Sequence, residues 1–157
     1  VDWYTLAAEQ GHAVAQNNLG LMYATGQGVV QDYKTTLKWF TLAAEQGSPL
    51  AQFNLGNMYR SGQGVPQNYE TALKWYTVAA EQGVANAQFS LGLMYYYGWG
   101  VSKDYIRAHM WGHIVASNGS ENGGKLRYEV SKKMTPTQIE KAQELAQECV
   151  RKEYKGC

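Results

Sequence analysis

The chain has 157 residues, of which 45% are hydrophobic, 17% are charged and 13% are aromatic, and its formal net charge is +1. This content of apolar and aromatic residues excludes intrinsic disorder, which is typical of chains with high net charge and few aromatic residues. The low net charge argues against a nucleic-acid partner, because proteins that neutralise phosphates carry a basic surplus. No apolar run approaches the roughly 18 residues of a transmembrane helix, so we expect no membrane span.

The sequence repeats itself with a period of 36 residues. Residues 12–47 and 48–83 are identical at 23 of 36 positions, and residues 84–119 keep the same framework but diverge in their second half. Such a period indicates a structural unit that stacks on its neighbours. One tryptophan and one glycine mark each step: Trp3, Trp39, Trp75 and Trp111, and Gly11, Gly47, Gly83 and Gly119.

The first half of each unit has the apolar spacing of an amphipathic helix. In the first unit this spacing, at i, i+4, i+7 and i+8, is carried by Ala15, Leu19, Met22 and Tyr23. Gly26 follows and can adopt the left-handed conformation that ends a helix. We therefore expect a helix that ends at this glycine and leads into a glycine-rich loop.

The second half of each unit predicts another helix. Asp32, Asn68 and Asp104 occupy equivalent positions where a side chain can accept hydrogen bonds from the free N–H groups of a helix start. The next unit is expected to begin with Ser48 as the N-cap and Pro49 at the first helical position.

Glycine also recurs inside the first predicted helix, as Gly20, Gly56 and Gly92. A glycine in a helix interior costs about 1 kcal/mol relative to alanine, so its recurrence predicts a close approach of the partner helix, with the tryptophan ring as the neighbour. Helical pairs of this size cannot bury both faces alone. The expected fold is all-α, a right-handed α-solenoid (superhelix) with a concave inner face.

The recurring motif is Ala-Gln-x-x-Leu-Gly-x-Met-Tyr, followed by Gly-x-Gly-Val-x-x-x-Tyr and by Trp-Tyr/Phe-x-x-Ala-Ala-Glu-Gln-Gly. This motif resembles that of the Sel1-like repeat (SLR) family, a relative of the tetratricopeptide repeats, over residues 1–119. The resemblance implies a non-catalytic adaptor that holds a protein or peptide partner. It also implies a location in the endoplasmic reticulum or in the bacterial cell envelope. Of these two, we expect the bacterial cell envelope, with the protein either periplasmic or secreted.

Residues 1–11 align with the second helix of a unit whose first helix lies outside this sequence, so we expect a fragment of a longer protein. The unmatched helix would leave an apolar edge, which predicts self-association with a second copy at high concentration. After the full repeats 12–47, 48–83 and 84–119, residues 120–157 are expected to cap the solenoid.

The capping region is expected to contain two helices after a polar turn at residues 120–124. The first is predicted as a short helix over residues 125–133. The second begins at the capping-box pattern of residues 135–138 and runs to about residue 151.

The two cysteines, Cys149 and Cys157, lie eight residues apart near the end of the chain. If the last helix ends near Cys149 and the chain turns back at Gly156, their side chains meet. We therefore expect a disulfide, formed in an oxidising compartment. The spacing does not suit a zinc site, which needs cysteine pairs separated by two to four residues.

No candidate for catalysis, a metal or a cofactor emerges from the residue pattern. His109 and His113 share a helix face at i and i+4, but no third ligand is evident, so packing or surface roles are expected. The Gly-x-Gly loops lack the preceding strand and the Lys-Ser/Thr of a phosphate-binding loop. A cell-wall hydrolase and a spacer that associates through its ends remain the alternatives to an adaptor.

In tetratricopeptide repeats, one side of the first helix lines the concave groove. The resemblance implies the same role here for the side of the first helix that lies opposite its recurring apolar residues. Aromatic residues dominate binding hot spots, and the densest aromatic group lies in the third unit. Asparagine side chains suit the backbone of a bound peptide. The expected partner-binding residues are Asn17, Leu21, Phe53, Asn57, Arg60, Phe89, Leu93, Tyr96 and Tyr97.

Overall fold

The 36-residue period of the sequence reappears in the positions of the helices. The structure, a computed structural model, describes residues 2–157, and within them it has α-helices and no β-strand, which confirms the all-α prediction. The helices are α1 (Asp2–Glu9), α2 (Ala13–Thr25), α3 (Tyr33–Glu45), α4 (Pro49–Ser61), α5 (Tyr69–Ala80), α6 (Ala85–Tyr97), α7 (Tyr105–Ser117), α8 (Glu121–Ser131) and α9 (Pro136–Arg151).

The chain divides into two compact units, Val1–Trp75 and Tyr76–Cys157, called unit 1 and unit 2 below. In unit 1, small alanines allow the helices to approach closely around larger side chains. One cluster joins α1, α2 and α3, and another joins α3 and α4. The first contains Ala8, Ala15, Leu19 and Trp39, and the second contains Phe40, Ala43, Ala44, Ala51, Leu55 and Met58.

The predicted N-caps of the second helices are confirmed. The Asp32 carboxylate accepts from the N–H of Lys34 at 2.9 Å, which leads into α3. The equivalent side chains act in the same way at the next two second helices: Asn68 accepts from Thr71 at 2.9 Å, and Asp104 accepts from Arg107 at 3.0 Å. These bonds satisfy backbone donors that the helix leaves free, which fixes where each second helix begins.

The start of α4 has the two residues that were expected there. Ser48 occupies the N-cap position and Pro49 the first turn, but the Ser48 side chain makes no capping hydrogen bond. The predicted positions of Ser48 and Pro49 are therefore confirmed. At the other end of a first helix, Gly26 ends α2 with φ 74°, and its N–H donates to the carbonyl of Met22 at 2.8 Å, as predicted.

A recurrent glutamine joins each second helix to the next first helix. The side-chain Nε2 donates to a carbonyl eight residues earlier in the chain, in the last turn of the preceding helix. We call this contact the glutamine bridge. It links Gln16 to Ala8 at 3.1 Å, Gln52 to Ala44 at 3.2 Å and Gln88 to Ala80 at 3.2 Å. All three glutamines are buried, so each bridge satisfies a polar group inside the core.

Two of the recurrent mid-helix glycines, Gly20 and Gly92, lie where helices approach closely, but the nearest atoms are not those of a tryptophan ring. A Cβ at Gly20 would lie 2.6 Å from ring carbons of Phe40, and one at Gly92 would lie 2.7 Å from Leu126 Cδ2. Trp39 packs instead with the α1–α2 cluster. The expectation about the tryptophan was wrong at Gly20, because Phe40, the next residue, faces α2 at this crossing, whereas at Gly92 the Trp111 side chain is a neighbour through its Cβ at 3.4 Å.

The capping region of unit 2 corrects a second expectation. Residues 120–124, predicted as a turn, form the start of α8, with Ser120 as its N-cap accepting from the N–H of Gly123 at 3.2 Å. A Cβ at Gly123 would lie 2.7 Å from the backbone nitrogen of Ala116, so this glycine allows α8 to pack closely on α7. The α9 capping box, between Thr135 and Gln138, is confirmed.

Candidate functional site

In unit 1, the predicted binding residues differ in how much surface they present. Asn17 is buried, and its Oδ1 accepts from Asn54 Nδ2 at 3.0 Å, so it joins α2 to α4. Leu21 is exposed on α2. On α4, Phe53 and Asn57 are half-buried and Arg60 is exposed. Unit 1 therefore exposes Leu21 and Arg60, exposes Phe53 and Asn57 in part, and buries Asn17.

In unit 2, the predicted residues come together in one place. Phe89, Leu93, Tyr96 and Tyr97 extend from α6 and form one wall of a cavity of about 300 Å³. Helix α8 forms the other wall. We call this cavity the aromatic groove, and its α8 residues are Asn122, Lys125, Leu126 and Glu129. The groove lies within one unit and is positioned by the close packing of α8 against α6 and α7.

The aromatic rings beside this groove hold one another in fixed orientations. The Tyr96 and Tyr97 rings meet edge to face with centroids 4.9 Å apart, and Tyr97 stacks on Trp99 at 4.6 Å with an interplanar angle of 19°. The Tyr96 ring also packs against the Tyr105 ring, with their centroids 5.9 Å apart. Tyr97 remains 48% exposed. Rings that are already fixed lose little conformational entropy when a partner binds.

The charged groups on the α8 side are paired along their own helix. Lys125 lies 2.6 Å from Glu121, and Glu129 lies 2.7 Å from Lys132. The hydrogen bond from Lys132 to Glu129 raises the pKa of the lysine. Each of these charges therefore has a nearby opposite charge, and five of the residues that line the groove, Phe89, Leu93, Tyr96, Tyr97 and Leu126, are apolar or aromatic.

The α8 wall is the part of this site that sequence reasoning missed. Leu126 is buried with Ala108 and Val130, and this cluster supports Phe89 and Tyr96 from below. Leu126 and Val130 stand at i and i+4, a helical spacing that predicts an inward face. That spacing was the available signal, but the adjacent glycines suggested a turn.

His109 and His113 lie on α7 and are not among the residues that line the aromatic groove. His109 is 2% exposed, and its Nδ1 has no hydrogen-bond partner among the described residues. Burial lowers the pKa of His109 to about 4, with a smaller contribution from His113. Burial and the Arg127 guanidinium, 3.4 Å from His113 Nδ1, also lower the pKa of His113. Both histidines are therefore neutral near pH 7.

His109 and His113 have different environments, but neither is part of a metal cluster. Within residues 2–157, no group of three or more His, Cys, Asp or Glu side chains is arranged to hold a metal ion. His109 thus fills a core position that leucine occupies in the two preceding repeats, at Leu37 and Leu73.

Cys149 and Cys157 form a disulfide with a Cα–Cα distance of 5.5 Å. The predicted pairing is therefore present in the structure. It connects buried Cys149 in α9 to the last residue of the chain. Across the described part of the chain, no helix combines the length and the apolar character needed to cross a membrane.

Comparison with known proteins gives matches over most of the chain. The model of the Sel1 repeat family matches residues 1–12, 13–48, 49–84 and 85–120. No curated protein sequence matches. Two crystal structures are similar at 39% sequence identity, one from uropathogenic Escherichia coli strains and one from Oxalobacter formigenes.

The E. coli structure is c5321, a protective antigen displaying an SLR fold, with a TM-score of 0.90 over 98% of this chain. The O. formigenes structure is a Sel1 repeat protein, with a TM-score of 0.77 over 82% of this chain. The chain spans 33% and 53% of the lengths of these two proteins. Together, these matches confirm the predicted solenoid of helical repeats and show that the chain belongs to the Sel1 repeat family.

Proposed function

We propose that this chain is a non-catalytic protein-interaction module, and that unit 2 binds an extended segment of a protein partner in the aromatic groove. The observation that carries the proposal is the convergence of Phe89, Leu93, Tyr96 and Tyr97 on one cavity with oriented rings. Large, rigid aromatic side chains bury much area at low entropic cost, which is why they dominate interaction hot spots. Membership in the Sel1 repeat family supports the same role.

The size and polarity of the groove suit a peptide segment. A cavity of about 300 Å³ lies at the lower end of the range for ligand sites and has room for a few apolar side chains. The hydroxyl groups of Tyr96 and Tyr97 can bond to the partner's backbone, and their rings can pack against its side chains. Paired charges of α8 border the groove and supply a polar rim.

The proposal includes the predicted residues of unit 1 as a further contact region on α2 and α4. Leu21 and Arg60 are exposed there, and Phe53 and Asn57 are half-buried. Asn17 contributes indirectly, because its hydrogen bond to Asn54 holds the two helices that carry these residues.

We place the protein in the bacterial cell envelope, in the periplasm or at the cell surface. The disulfide supports this location, since such bonds persist in oxidising compartments and are rare in the cytosol.

The test compares two single tyrosine variants with the wild-type protein in affinity capture from an envelope extract, followed by titration of the captured partner. Tyr97→Ala removes a groove ring that is 48% exposed, whereas Tyr128→Ala removes an α8 ring that is 62% exposed and outside the groove. We expect Tyr97→Ala to weaken binding by about tenfold or more and Tyr128→Ala to leave it near wild type. Circular dichroism checks that both variants are folded. Equal binding by both variants would refute the groove as the site.

Self-association is a second candidate function, favoured by the exposure of α1. Trp3 is 86% exposed, whereas Trp39, its counterpart one repeat later, is 8% exposed. Tyr4 and Leu6 are exposed on the same helix. An apolar helix face of this kind can pair with the same face of a second copy, in a symmetric dimer.

A further inference from the structure

The end of the chain folds back onto the α5–α6 turn. After α9 ends at Arg151, residues 152–157, called the C-terminal tail below, run back along unit 2. The N–H of Gly156 donates to Glu81 Oε1 at 3.0 Å. The Tyr154 ring lies 3.7 Å from the position that a Cβ would occupy at Gly83. The tail therefore touches a turn that precedes it by about seventy residues.

The tail adopts a backbone conformation that needs support from outside. Glu153 and Tyr154 both have positive φ, 52° and 66°, although neither is glycine. This left-handed region is unfavourable for residues with a Cβ, and two such residues in succession are uncommon. The tail keeps this conformation through backbone hydrogen bonds at the end of α9, such as that from the Tyr154 N–H to the Cys149 carbonyl at 2.9 Å, and through the disulfide to Cys149 and the bond to Glu81.

The disulfide lines a cavity of about 350 Å³ on unit 2. Each cation around it has a carboxylate neighbour, since Arg107 pairs with Asp104, Lys152 with Glu148 and Lys141 with Glu144. Met110 and Leu145 supply apolar surface. The charged residues that line the cavity are Arg107, Lys141, Lys152, Asp104 and Glu148.

We propose that the Cys149–Cys157 disulfide is a redox-sensitive clamp, opened by a dithiol reductant that enters this cavity, and that opening it releases the C-terminal tail from the α5–α6 turn. A thiolate of the reductant attacks Sγ of Cys157, the more exposed of the two cysteines. A mixed disulfide forms, and the sulfur of Cys149 leaves as a thiolate and takes up a proton.

The second thiol of the reductant completes the exchange. It loses its proton and attacks the reductant's own sulfur in the mixed disulfide, which displaces Cys157 as a thiolate that is then protonated. The protein gains two electrons and two protons, and the reductant departs as its own disulfide. The products are two protein thiols and a tail held only by its non-covalent contacts.

Release of the tail changes a second surface of unit 2. Tyr154 forms part of the wall of a cavity of about 450 Å³ between α7 and α9, together with Ile114, Ala146 and Val150. When the tail leaves, this cavity loses the Tyr154 wall and its apolar floor opens to solvent. The oxidation state of one bond thus controls the exposure of an apolar surface.

The experiment is limited trypsin digestion of the oxidised protein, of the protein reduced with dithiothreitol, and of Cys157→Ser. The rate of cleavage after Lys152 reports how often the C-terminal tail detaches from unit 2. The rate of cleavage after Lys125 in α8 is the internal control. Products are quantified by mass spectrometry after quenching and full reduction. Because cleavage requires local unfolding, we expect reduction to speed cleavage after Lys152 at least about tenfold and to leave Lys125 unchanged.

Cys157→Ser should match the reduced protein without any reductant and should not respond to dithiothreitol. A further pair tests the contact with the turn in the oxidised protein: Glu81→Ala should speed tail cleavage, whereas Glu81→Gln, which keeps an acceptor oxygen, should not. Equal cleavage after Lys152 in oxidised and reduced protein would overturn the proposal. Loss of helical circular dichroism on reduction would also overturn it, because the bond would then hold the whole unit rather than the tail.

Discussion

The side-chain oxygen of Gln16 accepts a hydrogen bond from Gln46 Nε2 at 2.7 Å, across thirty residues of sequence. This bond completes the first glutamine bridge, since Gln16 uses its nitrogen for Ala8 and its oxygen for Gln46. In the third repeat, the buried Oε1 of Gln88 has no partner among residues 2–157. The position equivalent to Gln46 is Asn118 there, whose side chain is one methylene shorter.

The variant Asn118→Gln should therefore stabilise the protein. A longer carboxamide can reach Gln88 Oε1, and satisfying a buried acceptor contributes about 1 kcal/mol to the free energy of unfolding. For a domain of this size, the melting temperature should rise by about 2–4 °C, as measured by scanning calorimetry. Asn118→Ala is the control and should not raise it. An unchanged melting temperature in Asn118→Gln would contradict the explanation.

Two adjacent glycines in α8 should respond to alanine in opposite ways. A Cβ at Gly123 would meet the backbone of Ala116 at 2.7 Å, whereas one at Gly124 would meet nothing within 4 Å. We expect Gly123→Ala to destabilise unit 2 by about 1–3 kcal/mol through overpacking. Gly124→Ala should stabilise it by up to about 1 kcal/mol through helix propensity. Urea denaturation measures both, and a loss of stability in each variant would show that α8 does not pack on α7 as described.

The buried His109 should make stability depend on pH in the acid range. Its pKa is lowered to about 4 in the folded state, so between pH 6.5 and pH 4 the unfolded state binds a proton that the folded state does not. Stability should therefore fall as the pH drops through this window, by up to about 3 kcal/mol from this group. His113, whose pKa is also lowered, changes stability in the same direction.

His109→Leu isolates the contribution of His109, because leucine is the residue at this position in both preceding repeats. Denaturation at pH 7 and at pH 4.5 should show a smaller loss of stability in this variant than in the wild type. His12→Ala, which removes an exposed histidine, is the control and should behave as the wild type. An identical pH dependence in His109→Leu would mean that His109 is not the group responsible.

Trp3→Ser should weaken self-association if the α1 surface forms a dimer. The wild-type protein is expected to shift from monomer to dimer mass as its concentration rises, measured by light scattering after size-exclusion chromatography. Trp3→Ser removes the most exposed part of the apolar face and should stay monomeric at concentrations where the wild type pairs. Tyr128→Ser, at an exposed aromatic residue outside α1, should still dimerise. A wild-type protein that is monomeric throughout would refute the pairing.

Features that depend on neighbouring residues in the sequence could be predicted from it. Asp32 caps α3 through a backbone N–H two residues ahead, and the α9 capping box spans four residues, so both were visible in the local pattern. The 36-residue period gave the order of the helices, because the same local signals recur at fixed intervals.

Features that depend on a partner elsewhere in the fold could not be predicted in the same way. Helical phase placed Asn17 opposite the framework of α2, but α4 supplies Asn54, which buries it. Gly123 resembles a turn residue locally, and only the approach of α7 explains its place inside a helix. The α8 wall of the aromatic groove was missed for this reason, although the sequence placed Phe89, Leu93, Tyr96 and Tyr97 on one side of α6, and their role in binding stays a prediction.

The glutamine bridge has a consequence for how such a chain can change length. The glutamine donor and the alanine acceptor of each bridge are eight residues apart. A segment that is duplicated as a whole repeat therefore carries one donor glutamine and one acceptor carbonyl. When a copy of 36 residues is added or deleted, every bridge glutamine thus still has an acceptor carbonyl. No compensating substitution is needed in the rest of the chain. Gene duplication can extend or shorten the array in whole repeats, whereas an insertion between a glutamine and its acceptor alanine would separate the two partners of that bridge.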